Sequence, residues 1–180
     1  CKIKWKVNYT IYPSPRIKIN DLIINSVSSK KIKLISAKDV IIKLSIKNLL
    51  AMEKHKFKKI IIKNYEVNIN LKKVKNYKSV LEEMLIPVPI NFIKGDIILF
   101  DGDNYVSRIN TTNVNLKTSK DILKLKLKGI FLNDGITVEL SREKLDGGAS
   151  NDLSLKMSAL NFFSKVYFID NEKHKDKING

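Results

Sequence analysis

The sequence predicts a mainly β protein: a curved antiparallel sheet, shaped as a groove (taco-like) or stacked as a sandwich, with one or two short helices. Three observations carry this expectation. Apolar and polar residues alternate along most of the chain, as on a strand with one buried face. Turn signals built from Gly, Asp and Asn separate the alternating runs. Helical spacing or composition is confined to two short stretches. The 180 residues suit one domain, or one segment of a longer repetitive β structure. Hydrophobic residues make up 43%, enough for a sizeable apolar face despite the 29% that are charged.

Ile3, Trp5, Val7, Tyr9 and Ile11 alternate with Lys2, Lys4, Lys6, Asn8 and Thr10, a long amphipathic strand. Pro13 and Pro15 break it, because proline has no N–H to give a ladder. Arg16-Ile17-Lys18-Ile19 resumes the pattern, and Leu22-Ile23-Ile24 continues it beyond a kink at Asn20-Asp21. Val27 to Lys30 is polar and turn-like. Lys31-Ile32-Lys33-Leu34 opens another strand, and Val40, Ile42, Leu44 and Ile46 give a further apolar face with Ile41 on the other side. Asn48 to Glu53 favours a short helical turn by its Leu, Ala, Met and Glu content. Phe57, Ile60, Ile61 and Ile62 form an extended run, and Tyr65, Val67, Ile69 and Leu71 alternate again.

Val80, Leu81, Met84 and Leu85 fall at helical spacing, predicting a short amphipathic helix within residues 76–85 that Pro87 and Pro89 end. Strands return at Phe92-Ile93, Asp96 to Phe100 and Tyr105 to Ile109, with Asp101-Gly102-Asp103-Asn104 as a hairpin turn. Val114-Asn115-Leu116 and Ile122 to Ile130 extend the sheet. Asn133-Asp134-Gly135 predicts a second hairpin turn before Ile136 to Leu140, and Gly147-Gly148 a loop. Leu153 to Met157 and Val166 to Ile169 are the last strands. The expected organisation is one β-rich domain over residues 1–170 and a charged, frayed tail over 171–180.

Such alternation implies a sheet wet on one side and apolar on the other. The few helical residues cannot cover that apolar side. The sheet must curl, stack as a sandwich, or leave an apolar groove.

The chain begins at Cys1 rather than Met, which suggests a fragment or a processed form; a lipid-bearing cysteine and a trimming boundary are both compatible with it. A single cysteine forms no internal disulfide. No run of about 18 apolar residues is present to span a bilayer, and Cys1 to Lys6 alternates where a signal peptide is continuous. The net charge of +16 raises an anionic partner, nucleic acid or an acidic membrane surface. Yet the arginines are only Arg16, Arg108 and Arg142, and the lysines are scattered among abundant Ile and Asn. Specific phosphate or base recognition recruits the arginine fork. Lysine, isoleucine and asparagine have A/T-rich codons, so codon usage with solvated strand faces accounts for most of the charge. No specific nucleic-acid partner is expected.

Catalytic chemistry finds no foothold. His55 and His174 lie in Lys-rich stretches without metal-ligand spacing. No G-x-S-x-G elbow, P-loop or dinucleotide fingerprint occurs. Residues 101–104 lack the spacing and terminal Glu of a calcium loop. Glu82 and Glu83 are adjacent and would diverge on a helix. No enzymatic activity, metal or cofactor is expected.

Five blocks resemble the AsmA-like family of bacterial envelope proteins. They are the strand Lys2 to Tyr12 running into Pro13-Ser14-Pro15-Arg16-Ile17-Lys18-Ile19-Asn20-Asp21-Leu22; Leu34 to Leu50, with Ala37, Val40, Ile42 and Ser45; Phe57 to Leu71, where Tyr65 stands at a position commonly proline; Ile93-Lys94-Gly95-Asp96-Ile97-Ile98-Leu99-Phe100-Asp101; and Ile109 to Leu116 followed by Gly129. Together they cover residues 1–145. The resemblance implies a periplasmic β-groove, anchored to the inner membrane by a segment preceding this chain. It also implies a role in outer-membrane assembly and phospholipid transport between membranes, with a phospholipid or other membrane lipid and envelope assembly proteins as partners. It brings no catalytic residues. The expected groove-lining residues are Trp5, Val7, Ile42, Leu44, Val67, Ile69, Leu125 and Leu127. The alternative is a structural β-scaffold or protein-interaction domain without a lipid ligand.

Overall fold

The computed structural model describes residues 6–12, 14–25, 33–45, 57–73, 88–146, 148–171 and 174–179. They form the strands β1 (Lys6–Thr10), β2 (Arg16–Asn25), β3 (Lys33–Leu44), β4 (Phe57–Asn70), β5 (Ile90–Asp101) and β6 (Asn104–Thr118). The strands β7 (Ile122–Phe131), β8 (Asp134–Leu145), β9 (Gly148–Met157), β10 (Phe162–Asn171) and β11 (His174–Asn179) follow. All eleven lie in sequence order in one curved, unclosed sheet. The chain is thus mainly β, and among the described residues it forms a single layer rather than a sandwich. The only described helical element is a 3-10 turn at Leu71–Lys73. The helices expected at 48–53 and 76–85, the turn at 27–30, Pro13, Gly147 and His55 lie outside the described residues.

Three expectations need correction. The sheet is not wholly antiparallel, because β4 and β5 run parallel from Ile60↔Ile90 to Asn70↔Phe100. Parallel neighbours need a long crossover, and residues 71–89 supply it. The charged tail is not all tail: His174–Asn179 pairs with β10 through Phe168↔Ile178 and Tyr167↔Asn179. A backbone ladder at a sheet edge needs no apolar side chains, and charged edge strands are common. The second hairpin turn sits earlier than expected, at Leu132 (φ 50°) and Asn133 (φ 64°). Two central residues with positive φ make the type I′ geometry that suits a two-residue hairpin. Asp134 instead opens β8, where its carboxylate accepts the N–H groups of Ala159 (2.9 Å) and Leu160 (3.2 Å) from the β9–β10 turn. The turn at 101–104 is as expected, with Gly102 at φ +66° and Asp101 paired to Asn104.

The breaks in alternation between β2 and β6 have one structural cause. Each pair of runs read from the sequence is a single strand whose apolar phase slips midway. In β4 the inward residues pass from Ile60 and Ile62 to Tyr65, Val67 and Ile69. In β6 they pass from Ile109 to Val114. Asp21 (φ 55°), Asn64 (φ 51°), Lys94 (φ 55°) and Thr111 (φ 50°) sit at these slips. The register places them at one level across β2, β4, β5 and β6. They form a transverse crease where the apolar phase slips by one residue; the pairing register shifts with it between β5 and β6 and runs on unbroken there from β2 to β4.

Left-handed backbone costs non-glycine residues about 1–2 kcal/mol each, so the crease needs compensation. Side chains supply it. Asp96 accepts the Thr111 N–H (3.1 Å), and Asn113 accepts the Lys94 N–H (3.3 Å). The Thr112 hydroxyl donates to the Gly95 carbonyl at 2.8 Å, and Thr112 is completely buried. Tyr65 lies flat on Gly95, its hydroxyl bonded to the Thr112 hydroxyl and its ring edge-on to Phe92 at 5.1 Å. A Cβ on Gly95 would come within 2.3 Å of the Tyr65 ring. Glycine is therefore required here by close approach. The surrounding core comprises Ala37, Val40, Tyr65, Ile97, Leu127, Ile136 and Met157, with partly buried aliphatic residues packed against it.

Candidate functional site

Backbone register assembles the apolar face row by row. One row runs Val7, Ile19, Val40, Ile62 and Phe92 across β1 to β5. It continues through Val114, Leu127, Val138 and Leu155 across β6 to β9. The next row runs Tyr9, Ile17, Ile42, Ile60 and Ile90, then Leu116, Leu125, Leu140, Leu153 and Val166. With neighbouring strands about 4.8 Å apart, a row of ten strands spans about 43 Å. Beyond the crease a shorter row joins Ile24, Ile35, Val67, Ile97 and Ile109.

Seven of the eight expected groove residues fall on this face. Val7 and Leu127 share the first row, and Ile42 and Leu125 the second. Val67 and Ile69 lie across the crease. Leu44 ends β3 and is 7% exposed, with its N–H donated to the Pro15 carbonyl at 2.9 Å. Trp5 lies outside the described residues. Their exposure is graded: Leu127 is 8% exposed at the centre, whereas Val7 is 46% and Tyr9 61% exposed on the edge strand. The residues that shape the centre, Tyr65, Gly95 and Thr112, were not among those expected. Gly95 within an otherwise apolar strand run was the available signal, since an isolated strand glycine marks a bulge or close approach.

The face ends in polar groups near the start of β7. There Arg142 meets Asp170 at 3.5 Å, beside the buried Asn151. The opposite face is polar and bears ion pairs: Lys18–Asp39 (2.9 Å), Lys126–Glu139 (2.5 Å) and Lys165–Asp152 (3.0 Å). Arg108 reaches Glu66 at 3.6 Å on the same side. Ile41 and Ile61 pair with each other there, the one apolar intrusion seen in the sequence of β3.

Three groups have displaced pKa values. Burial pushes the Tyr65 phenol up, opposed by its hydrogen bond to Thr112. The Ala159 N–H, with those of Leu160 and Gly135, holds the Asp134 carboxyl below its usual value. The Lys126 ammonium does the same for Glu139. What the arrangement offers chemically is a long apolar surface with polar ends and a solvated back. No protein-family model and no curated protein matches the chain.

Proposed function

We propose that this chain is the β-groove of an AsmA-like envelope protein, and that the groove shields the acyl chains of phospholipid or another membrane lipid in transit between two membranes. On this reading the chain is non-enzymatic and periplasmic, and a segment preceding it ties it to the inner membrane. One observation carries the proposal: two apolar rows, one of nine strands and one of ten, cross a sheet over which the described residues lay no second layer. Each methylene moved from water onto such a surface contributes about 0.8 kcal/mol, so a lipid sliding along it avoids the cost of full hydration. Headgroups would stay at the polar margins.

The test is lipid extracted from the purified protein and identified by mass spectrometry. Co-purifying lipid should fall several-fold in Leu125→Glu, with far-UV circular dichroism confirming that the sheet persists. Undiminished lipid in a folded variant, or none in the unaltered protein, would favour the scaffold alternative.

A further inference from the structure

On the polar face, one register row differs from the rest. Arg16 of β2 stands opposite Lys43 of β3, which stands opposite Lys59 of β4. At the same level beyond Pro89, Lys117 of β6 stands opposite Lys124 of β7. Like charges placed directly opposite destabilise a sheet. Elsewhere this face relieves them by pairing, as in Lys18–Asp39, Lys126–Glu139 and Lys165–Asp152. Among the described residues, none of these five cations has a carboxylate partner. Lys117 and Lys124 also line an open hollow of about 690 Å3. The row lies along one end of the sheet, where β2, β4 and β7 begin and β3 and β6 end.

We propose that this end of the sheet docks on an anionic bilayer, with the row Arg16, Lys43, Lys59, Lys117 and Lys124 seated among the headgroup phosphates. A plane of phosphates meets a line of cations along its whole length. Lysines held near such a surface are attracted to it within about a Debye length. The row lies on the face opposite the apolar one, so docking does not require that the groove hold lipid. If both hold, the groove's end is brought to the membrane.

The experiment is co-sedimentation of the full chain with vesicles of phosphatidylcholine containing about 30% phosphatidylglycerol, at about 0.15 M salt. Two variants carry the same net charge. One removes the row (Lys43→Gln, Lys59→Gln, Lys117→Gln, Lys124→Gln). The other removes four exposed lysines elsewhere (Lys33→Gln, Lys38→Gln, Lys128→Gln, Lys156→Gln). The row variant should bind at least tenfold more weakly, and the second within twofold of the unaltered protein. Equal loss in both would assign binding to net charge and overturn the proposal, as would no loss in either. So would row-dependent binding of single-stranded RNA with unchanged vesicle binding. Lipid co-purification should persist in the row variant, so that failure of docking and failure of the groove are separable.

Discussion

The two halves of the sheet solve the same problem differently. From β7 to β10 the strands are joined by tight hairpins, the register runs without slippage, and positive φ is confined to turns. From β2 to β6 every antiparallel ladder contains a register shift, the remaining pairing is parallel, and four non-glycine residues sit in left-handed backbone inside strands. The regular half presents an even apolar face. The creased half bends it and holds its most buried packing, Tyr65 on Gly95 above Thr112. Phase slips and left-handed backbone thus let an uncovered sheet bury part of its own centre without a second layer.

The sharpest way to break this contrast is to put the same methyl group into each half. Gly95→Ala should destabilise by about 3 kcal/mol, because the new Cβ meets the Tyr65 ring at 2.3 Å. Gly135→Ala in β8, with nothing within 4 Å, should change stability by less than about 0.5 kcal/mol. Urea unfolding midpoints compare the two. Equal effects would mean that the crease is not the better-packed region.

Removing the Tyr65 hydroxyl is the next largest step. Tyr65→Phe keeps the ring but strips Thr112 of a buried partner, and should cost about 1 kcal/mol in the same assay. Thr111→Gly should act in the opposite direction. Thr111 is β-branched at φ 50°, and relieving that backbone should offset the added chain freedom, for a net gain on the order of 0.5 kcal/mol. A loss would mean that the crease is less strained than its dihedrals imply.

The smallest effect belongs to the regular half. Asp134 and Glu139, both in β8, have folded pKa values below their ordinary 3.8 and 4.5. Their contribution is present above those ordinary values and is lost as pH falls through the lower folded ones. Amide protection factors in β8 to β10 should therefore fall below about pH 4, and Asp134→Asn should flatten that dependence. An equal fall across β2 to β6 would contradict the assignment.

Much of the sheet was legible in the sequence, and the halves again differ. Leu123, Leu125 and Leu127 alternate strictly with lysines, and the structure keeps them on one strand. In β3 and β4 the alternation breaks, so each read as two runs; the breaks were phase slips inside single strands. Such a slip leaves no residue-type rule behind, since Asp, Asn, Lys and Thr hold the left-handed backbone of the crease. Parallel pairing of β4 with β5 was hidden because alternation does not encode strand direction. Which residues share the apolar face was legible, because phase alone decides which face a side chain takes. The Tyr65–Gly95–Thr112 packing was not, because it joins three strands through register.

Adjacent residues on opposite faces give the most direct test of the lipid groove. A photo-crosslinking amino acid at Val138, on β8 in the first apolar row, should capture lipid when the protein is irradiated in cells. The same probe at Glu139, one residue along β8 on the solvated face beside Lys126, should capture none. Lipid adducts at 138 and not at 139 are the predicted result. Equal capture at both positions, or protein adducts alone at 138, would contradict a lipid-bearing apolar face.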